Sequence, residues 1–413
     1  MSLKKLLQMK IIHTSDWHIG HLFYLNNRDD EHEFFFKQLK QIVWNEKPDV
    51  LIVSGDIFHT ATPYVASQKI YYKNLVDLSL MDEDLQIIII AGNHDSPSRI
   101  EAPKLLWDAF NVYVVGTLER TGNEAEEILY DKMLIPVTRQ GKKIGWVVAA
   151  PYIYQNNYPT AEGNESIDER VSLFYKNILD KRDDASLPTI ATGHFYVQGS
   201  DTKGHDDSIV GGMESISAAA LKTCDVDYWA LGHIHHPQEV GKAKNIRYSG
   251  SPFAISFDEK YPHSIVIGEI EKGDAELRTN EIKPLIPVTD IPDKPQPYDK
   301  VLEAIHAIPD DKKVYVRVKI EVETPLTPSQ NQEIQQAFSG KEARFCLIEP
   351  HFRQKEASTY RIEINSINEM KCFSPIELAH QYYKEKSECE MTDEMKTFID
   401  NIYNKVRIED VQE

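Results

Sequence analysis

The sequence predicts an α/β chain over its first two thirds, followed by a smaller α+β module and a helical tail. Three observations carry this. Short β-rich runs recur at 10–15, 49–54, 86–91, 144–150, 188–193 and 227–232, apolar without alternation, as strands buried on both faces are. Between them, Phe34, Phe35, Leu39, Ile42 and Val43, and again Tyr71, Leu75 and Leu78, fall at spacings of three and four and mark helices. Five of the runs lead straight into a polar cluster, where open α/β sheets build their sites, beyond the strand carboxyl ends.

The chain has 413 residues, enough for two or three domains, and its 41% hydrophobic and 27% charged content is that of an ordinary folded protein. A net charge of −19 excludes a basic nucleic-acid-coating protein, so any polyanionic partner must be held by local chemistry against a repulsive field. The four cysteines, Cys224, Cys346, Cys372 and Cys389, form no C-x-x-C pair and are too sparse for a disulfide framework, which points to the reducing cytoplasm. Lys10 and His13 interrupt the apolar start, so no secretory h-region is expected, and Met9 is a second candidate start. The longest aliphatic run elsewhere, Ile87 to Ala91, is far below the roughly 20 residues of a membrane span.

Residues 1–283 read as the first domain. The stretch 284–297, PLIPVTDIPDKPQP, carries Pro284, Pro287, Pro292, Pro295 and Pro297, too many for a helix or a central strand, and predicts an interdomain connection. Within 298–368, YDKVLEAIHAI predicts a helix. KVYVRVKIEVE sets Val314, Val316, Val318, Ile320 and Val322 against Tyr315, Arg317, Lys319 and Glu321, the period of a strand with one wet face. Thr327 and Pro328 suit N-cap and N1 of a further helix, and ARFCLIEP supplies another strand. In the tail, 369–413, Ser374 and Pro375 open a helix. Met395, Phe398, Ile399, Ile402 and Val406 stripe a second one, after a break near Glu390 to Thr392.

The polar clusters are Asp16-x-His18, Gly55-Asp56, Gly92-Asn93-His94-Asp95, His194 and Gly232-His233-x-His235. Leaving Asp95 aside, they offer two carboxylates, one amide oxygen and four imidazoles beside a fifth, the donors of two divalent ions. Mixed nitrogen and oxygen ligation favours manganese or iron over an all-oxygen magnesium cage. Residues two apart in extended chain face the same way, so Asp16 can converge with His18, and His233 with His235, while His236 points away. Gly55, Gly92 and Gly232 would ease the abrupt turn that follows each strand. His94 follows Asn93 too closely to share its metal and is left for transition-state stabilisation or leaving-group protonation, with Asp95 as its orienting group or as a helix cap.

In this order, D-x-H, G-D, G-N-H-[DE], H and G-H-x-H resemble the signature of the calcineurin-like metallophosphoesterases. HTSDWHIG, SGDIFHTATP, IAGNHDSPSR, LGHIHHPQ and YSGSPFAISFDE are similar to its double-strand-break repair nuclease branch. The resemblance implies a four-layer fold, two face-to-face sheets flanked by helices, with a capping domain at 298–368 and partner-binding helices at 369–413. It implies one ion on Asp16, His18, Asp56 and His235 and another on Asp56, Asn93, His194 and His233, Asp56 bridging. His59 would help to position the scissile phosphate or strand. It further implies DNA as substrate, an SMC-like ATPase as partner and a homodimer within a heterotetramer. ATP dependence would be borrowed, since no G-x-x-x-x-G-K-[ST] occurs in the chain. Arg139, Lys142 and Lys143 are a candidate basic patch for DNA. A phosphatase or small-molecule phosphodiesterase is the alternative, because the same two-metal site serves all of these. A non-catalytic tether is the third reading, and the intact donor set argues against it.

Overall fold

The computed structural model describes residues 8–122, 127–160, 165–202, 215–241 and 243–352, with Tyr383, Met391, Met395 and Lys396 beyond them. Met1–Phe352 is one compact unit and Arg353–Glu413 a second. The first opens with β1 (Met9–Thr14), α1 (Asp29–Glu46), β2 (Val50–Ser54), α2 (Val65–Ser79), β3 (Gln86–Ile90), α3 (Pro97–Glu101), α4 (Lys104–Trp107) and β4 (Val112–Val115). It continues through β5 (Leu134–Arg139), β6 (Lys142–Ala149), α5 (Ile167–Leu179), β7 (Thr189–His194), α6 (Ala218–Lys222), β8 (Tyr228–Gly232), β9 (Gln238–Val240), β10 (Ala243–Tyr248), β11 (Ser264–Glu271) and β12 (Asp274–Glu281). It ends with β13 (Val288–Gln296), α7 (Tyr298–His306), β14 (Val314–Val322), α8 (Pro328–Gln336) and β15 (Ala343–Phe352).

Two six-stranded sheets run in the orders β12-β11-β1-β2-β3-β4 and β5-β6-β7-β8-β10-β9. Strands β1 to β4 are mutually parallel, as are β6, β7, β8 and β10, so the carboxyl ends within each sheet share one edge. The unbroken apolar runs follow from burial on both faces. Ile11, Val50, Ile52, Ile88 and Ile90 pack with Val147, Ile190, Trp229 and Ile246 of the other sheet. Their chain neighbours Ile12, Leu51, Val53, Ile87 and Ile89 pack instead beneath Phe35, Phe36, Leu39, Tyr71 and Leu75 of α1 and α2. Helix α5 covers the second sheet with Val171, Phe174, Tyr175 and Ile178. Helix, sheet, sheet, helix is the four-layer order expected. Each such side chain, fully buried, contributes about 1.5–3 kcal/mol.

The small module is a parallel sheet, β13-β14-β15, with α7 and α8. Thr327 and Gln330 form a reciprocal capping box at the start of α8, as its Thr-Pro pair suggests. Two expectations are corrected. Much of the proline-rich stretch 284–297 is not a bare connection but β13, and it is an edge strand, where missing N–H donors cost no ladder bond. The supposedly wet face of β14 is also dry at its start, with Tyr315 at 0% and Arg317 at 8% exposure. Tyr315 packs with Phe23, Phe257 and Ile286 and donates its hydroxyl to Glu31 at 2.8 Å, while Arg317 pairs with Asp290 at 2.7 Å. The tail expected at 369–413, with Phe398, Ile399, Ile402 and Val406, lies outside the described residues; Tyr383, Met395 and Lys396 within it are helical. No helix among the described residues is long and apolar enough to cross a membrane.

Candidate metal centre

At the shared edge the loops after β1, β2, β3, β7 and β8 meet, and hydrogen bonds between backbones stitch them together. Asp16 N–H donates to Gly55 O at 3.0 Å, His18 N–H to Asp56 O at 3.0 Å and Ile19 N–H to Ile57 O at 2.9 Å. All three glycines are required for space: a Cβ at Gly55 would sit 2.3 Å from His194 Nδ1, one at Gly92 2.1 Å from Asp56 Oδ1, and one at Gly232 1.9 Å from Ser54 O. Gly55 in addition has φ +89°, which its missing Cβ permits.

The seven expected donors, Asp16, His18, Asp56, Asn93, His194, His233 and His235, converge here. Asp56 Oδ2 lies 3.6 Å from His18 Nε2 and 3.3 Å from His194 Nε2. His18 Nε2 faces His235 Nε2 at 3.2 Å, and Asn93 Oδ1 lies 3.0 Å from His194 Nε2 and 3.1 Å from His233 Nδ1. Donor atoms of Asp16, His18 and His235 fall within 4.8 Å of one another, as do those of Asp16, Asp56 and His194. Neither carboxylate meets a lysine or arginine among the described residues. Two buried carboxylates, an amide oxygen and four imidazoles, crowded without a lysine or arginine among the described residues, fit divalent metal ions.

Electrostatics follow the burial. Burial pushes the Asp16 carboxyl up, against the nearby His194 and His235. Burial would also raise Asp56, but the charge and hydrogen bond of His194, with His18 and His94, hold it well below the usual carboxylate range. For His194 burial is outweighed in turn by Asp56, which lifts it to about 9. Burial drives His18 far down.

His94 stands beside the donors. Its ring centroid is 4.9 Å from that of His18, its N–H donates to Asp56 Oδ1 at 2.9 Å, and its Nδ1 is 2.9 Å from the carbonyl oxygen of His59. His59 stacks on His94 with centroids 5.6 Å apart, and burial followed by the charge of His94 lowers it to about 4. Donor atoms of His18, His59 and His94 form a third cluster within 4.8 Å. His21, which stands outside the sequence motifs, also lies at this rim, 4.6 Å from His59 between ring centroids. His236 leaves the cluster as expected, stacking on Tyr261 and meeting Asp201 at 3.1 Å.

Two site residues differ from expectation. Asp95 neither orients His94 nor caps α3. Its carboxylate accepts the N–H groups of Gly92, Ile57 and Phe58 at 2.9–3.1 Å and so locks the GNHD loop to the GD loop. Glu259 carries no motif of its own, although it ends the SFDE stretch. It is 1% exposed and accepts from His235 Nδ1 at 2.9 Å. The candidate basic patch does not serve the site. Arg139 and Lys142 bound the β5–β6 turn at the opposite end of the sheet, Arg139 pairs with Asp49 at 2.6 Å, and Lys143 pairs with Asp183 at 2.5 Å.

Known proteins are similar in sequence. The chain is 29% identical over 337 residues to the SbcD subunit of the nuclease SbcCD from Rhodobacter capsulatus, covering 77% of this chain and 82% of that one. With its counterpart from Escherichia coli K12 it shares 30% over 281 residues, 64% and 66% of the two chains, and with that of Bacillus subtilis 27% over 373 residues, 87% and 90%. The calcineurin-like phosphoesterase family matches residues 9–237, from the first residue of β1 to just past the last histidine of the cluster. With five loops from two facing sheets bringing its donors together, the chain belongs to the calcineurin-like phosphoesterases.

Proposed function

We propose that this chain is a DNA nuclease subunit that hydrolyses phosphodiester bonds with two manganese ions, in complex with an SMC-like ATPase of the SbcC kind. The observation that carries the reading is Asp56, whose Oδ2 lies 3.6 Å from His18 Nε2 and 3.3 Å from His194 Nε2, which supports its being shared by two ions. On it, Asp16, His18, Asp56 and His235 would hold one ion, and Asp56, Asn93, His194 and His233 the other. When bound, such a pair supplies Lewis acidity toward the phosphate oxygens and acidifies the attacking water. The remaining work falls to side chains. His94 Nδ1 donates to the carbonyl of His59, which turns Nε2 toward the substrate; in the imidazolium form, with both nitrogens protonated, Nε2 would give its proton to the leaving 3′ oxygen or steady the charge developing at phosphorus. His59, stacked against His94, lines the path of the strand.

The similarity to nuclease subunits favours DNA over a small phosphodiester. A net charge of −19 assigns much of the DNA affinity to the partner. A homodimer within a heterotetramer fits the exposed apolar side chains Tyr64 and Val65 at the start of α2 and Leu105 and Leu106 on α4; the two helices approach through Tyr72 and Trp107, whose rings are 6.0 Å apart. The test is digestion of 3′-labelled duplex and hairpin DNA in manganese, with and without the ATPase. Cleavage supports the reading, whereas inertness on every DNA with rapid turnover of cyclic nucleotides reassigns the chain to the small phosphodiesterases.

The tail provides a separate check. Met395, Phe398, Ile399, Ile402 and Val406 at three and four residue spacing suit a helix laid in a partner's groove. Removing residues after Cys372 is expected to preserve the manganese-dependent activity of the isolated subunit and to abolish co-purification with the ATPase and stimulation by ATP. A truncated chain that unfolds, or still binds the ATPase, assigns the tail to the chain's own packing.

A further inference from the structure

Phe257, Asp258, Glu259 and Lys260 face two ways within four residues. Phe257 packs with Tyr315 of the small module, and the Arg317 guanidinium lies over its ring at 5.4 Å. Asp258 pairs with Arg317 Nη1 at 2.9 Å, and Lys260 pairs with Asp290. Asp290 also holds Arg317 Nε at 2.7 Å and Lys319 at 2.8 Å, and Arg317 reaches Glu349 at 3.1 Å, so the cluster crosses all three strands of the module. Glu259, between the two tethered residues, turns away from the module into the phosphoesterase core. One of its carboxylate oxygens accepts from His235 Nδ1 at 2.9 Å, and the other from Ile255 N–H at 3.0 Å and Ser251 Oγ at 3.4 Å. The loop is tied again at its start, where Ser251 N–H donates to His235 O at 3.0 Å.

We infer that the small module positions one end of the metal centre: Arg317 and Asp290 clamp Asp258 and Lys260, and the clamp seats Glu259 against His235. Glu259 and Arg317 are then positioning residues for the ion held by His235, although Arg317 belongs to a different sheet. The physical reason is that an imidazole ligand is held in one tautomer and one ring orientation by the acceptor on its other nitrogen, and loss of such an acceptor typically lowers metal affinity by about 10–100-fold. Here the acceptor sits on a loop whose flanking residues are tied to another module.

The inference rests on the two-ion reading, and calorimetric titration of the full chain with manganese chloride separates the two. Wild-type protein that takes up no manganese overturns that reading and this inference with it. If two ions bind, Glu259→Ala is expected to weaken one site by about 10–100-fold and leave the other unchanged, and Glu259→Gln, which keeps an acceptor, to recover part of the loss. Arg317→Ala should weaken the same site by roughly tenfold, within that range. Asp258→Asn, which cuts the tether from its exposed side and leaves the module's interior intact, covers the case in which Arg317→Ala does not fold. Lys300→Ala, at a surface pair within α7, should change nothing. Because Arg317 acts through Glu259, the double variant should bind no more weakly than Glu259→Ala alone. Unchanged manganese affinities in both Glu259→Ala and Asp258→Asn, or fully additive losses in the double variant, overturn the inference.

Discussion

Asp56→Asn is expected to abolish hydrolysis and to weaken both manganese sites at once, each by more than the roughly 10–100-fold that loss of an outer-shell partner costs. The substitution is nearly isosteric. Its remaining oxygen can still accept the His94 N–H that Asp56 Oδ1 accepts at 2.9 Å, so the loop geometry survives and only the shared negative charge is removed. On the two-ion reading that charge would be shared by both sites, because one carboxylate oxygen lies within 3.6 Å of two imidazoles on different sheets. Calorimetry with manganese and a nuclease assay on one preparation check the result; two ions bound at wild-type strength would overturn the bridging assignment.

His94→Ala separates binding from chemistry. The ring makes no bond that the metal donors need, its Nδ1 being engaged by the His59 carbonyl, so both ions should bind as in the wild type. The cleavage rate at saturating DNA should fall by about 10²–10⁴-fold, the usual worth of a positioned acid or transition-state partner. Loss of one ion in this variant would instead make His94 a ligand, a role that its clustering with His18 and His59 would then explain.

The parts of the molecule written in local strings were legible in the sequence. Each donor sits within a few residues of the end of an apolar run, and a parallel sheet brings such ends to one edge, so Asp16, Asp56 and Asn93 of one sheet and His194 and His233 of the other could each be gathered without knowing the strand order; that the two sets face each other depends on how the two sheets stack. What depends on distant pairing was not legible. Glu259 lies 24 positions from His235 in a loop without periodicity, and nothing in its spacing marks it as that histidine's partner. The alternation of β14 correctly identified a strand but not what covers its polar face, since Tyr315 and Arg317 are buried by residues as far away as Glu31. Prolines argued against a helix or a central strand in 284–297 and led to a connection; the rule that excludes them from sheets spares an edge, and edge position is set by topology. Gly92 and Gly232 likewise looked like turn residues, though the space they vacate is claimed by Asp56 and Ser54 from another strand.

Asp16, His18, Asp56 and His233 adopt φ values of 53°, 44°, 51° and 100°, in the left-handed region that side chains other than glycine avoid. For L-residues that region costs about 1–2 kcal/mol each, less for aspartate, and the surrounding loops must impose it. Selection for thermal stability alone would therefore favour glycine or asparagine at these four positions, and on the proposed two-ion reading each such change would delete or neutralise a metal donor. Directed evolution of a more heat-resistant form would be drawn toward the residues it can least afford to change. Stabilising substitutions should be sought instead in the helices and the β5–β6 turn at the far end of the sheets, where backbone comfort and chemistry do not compete.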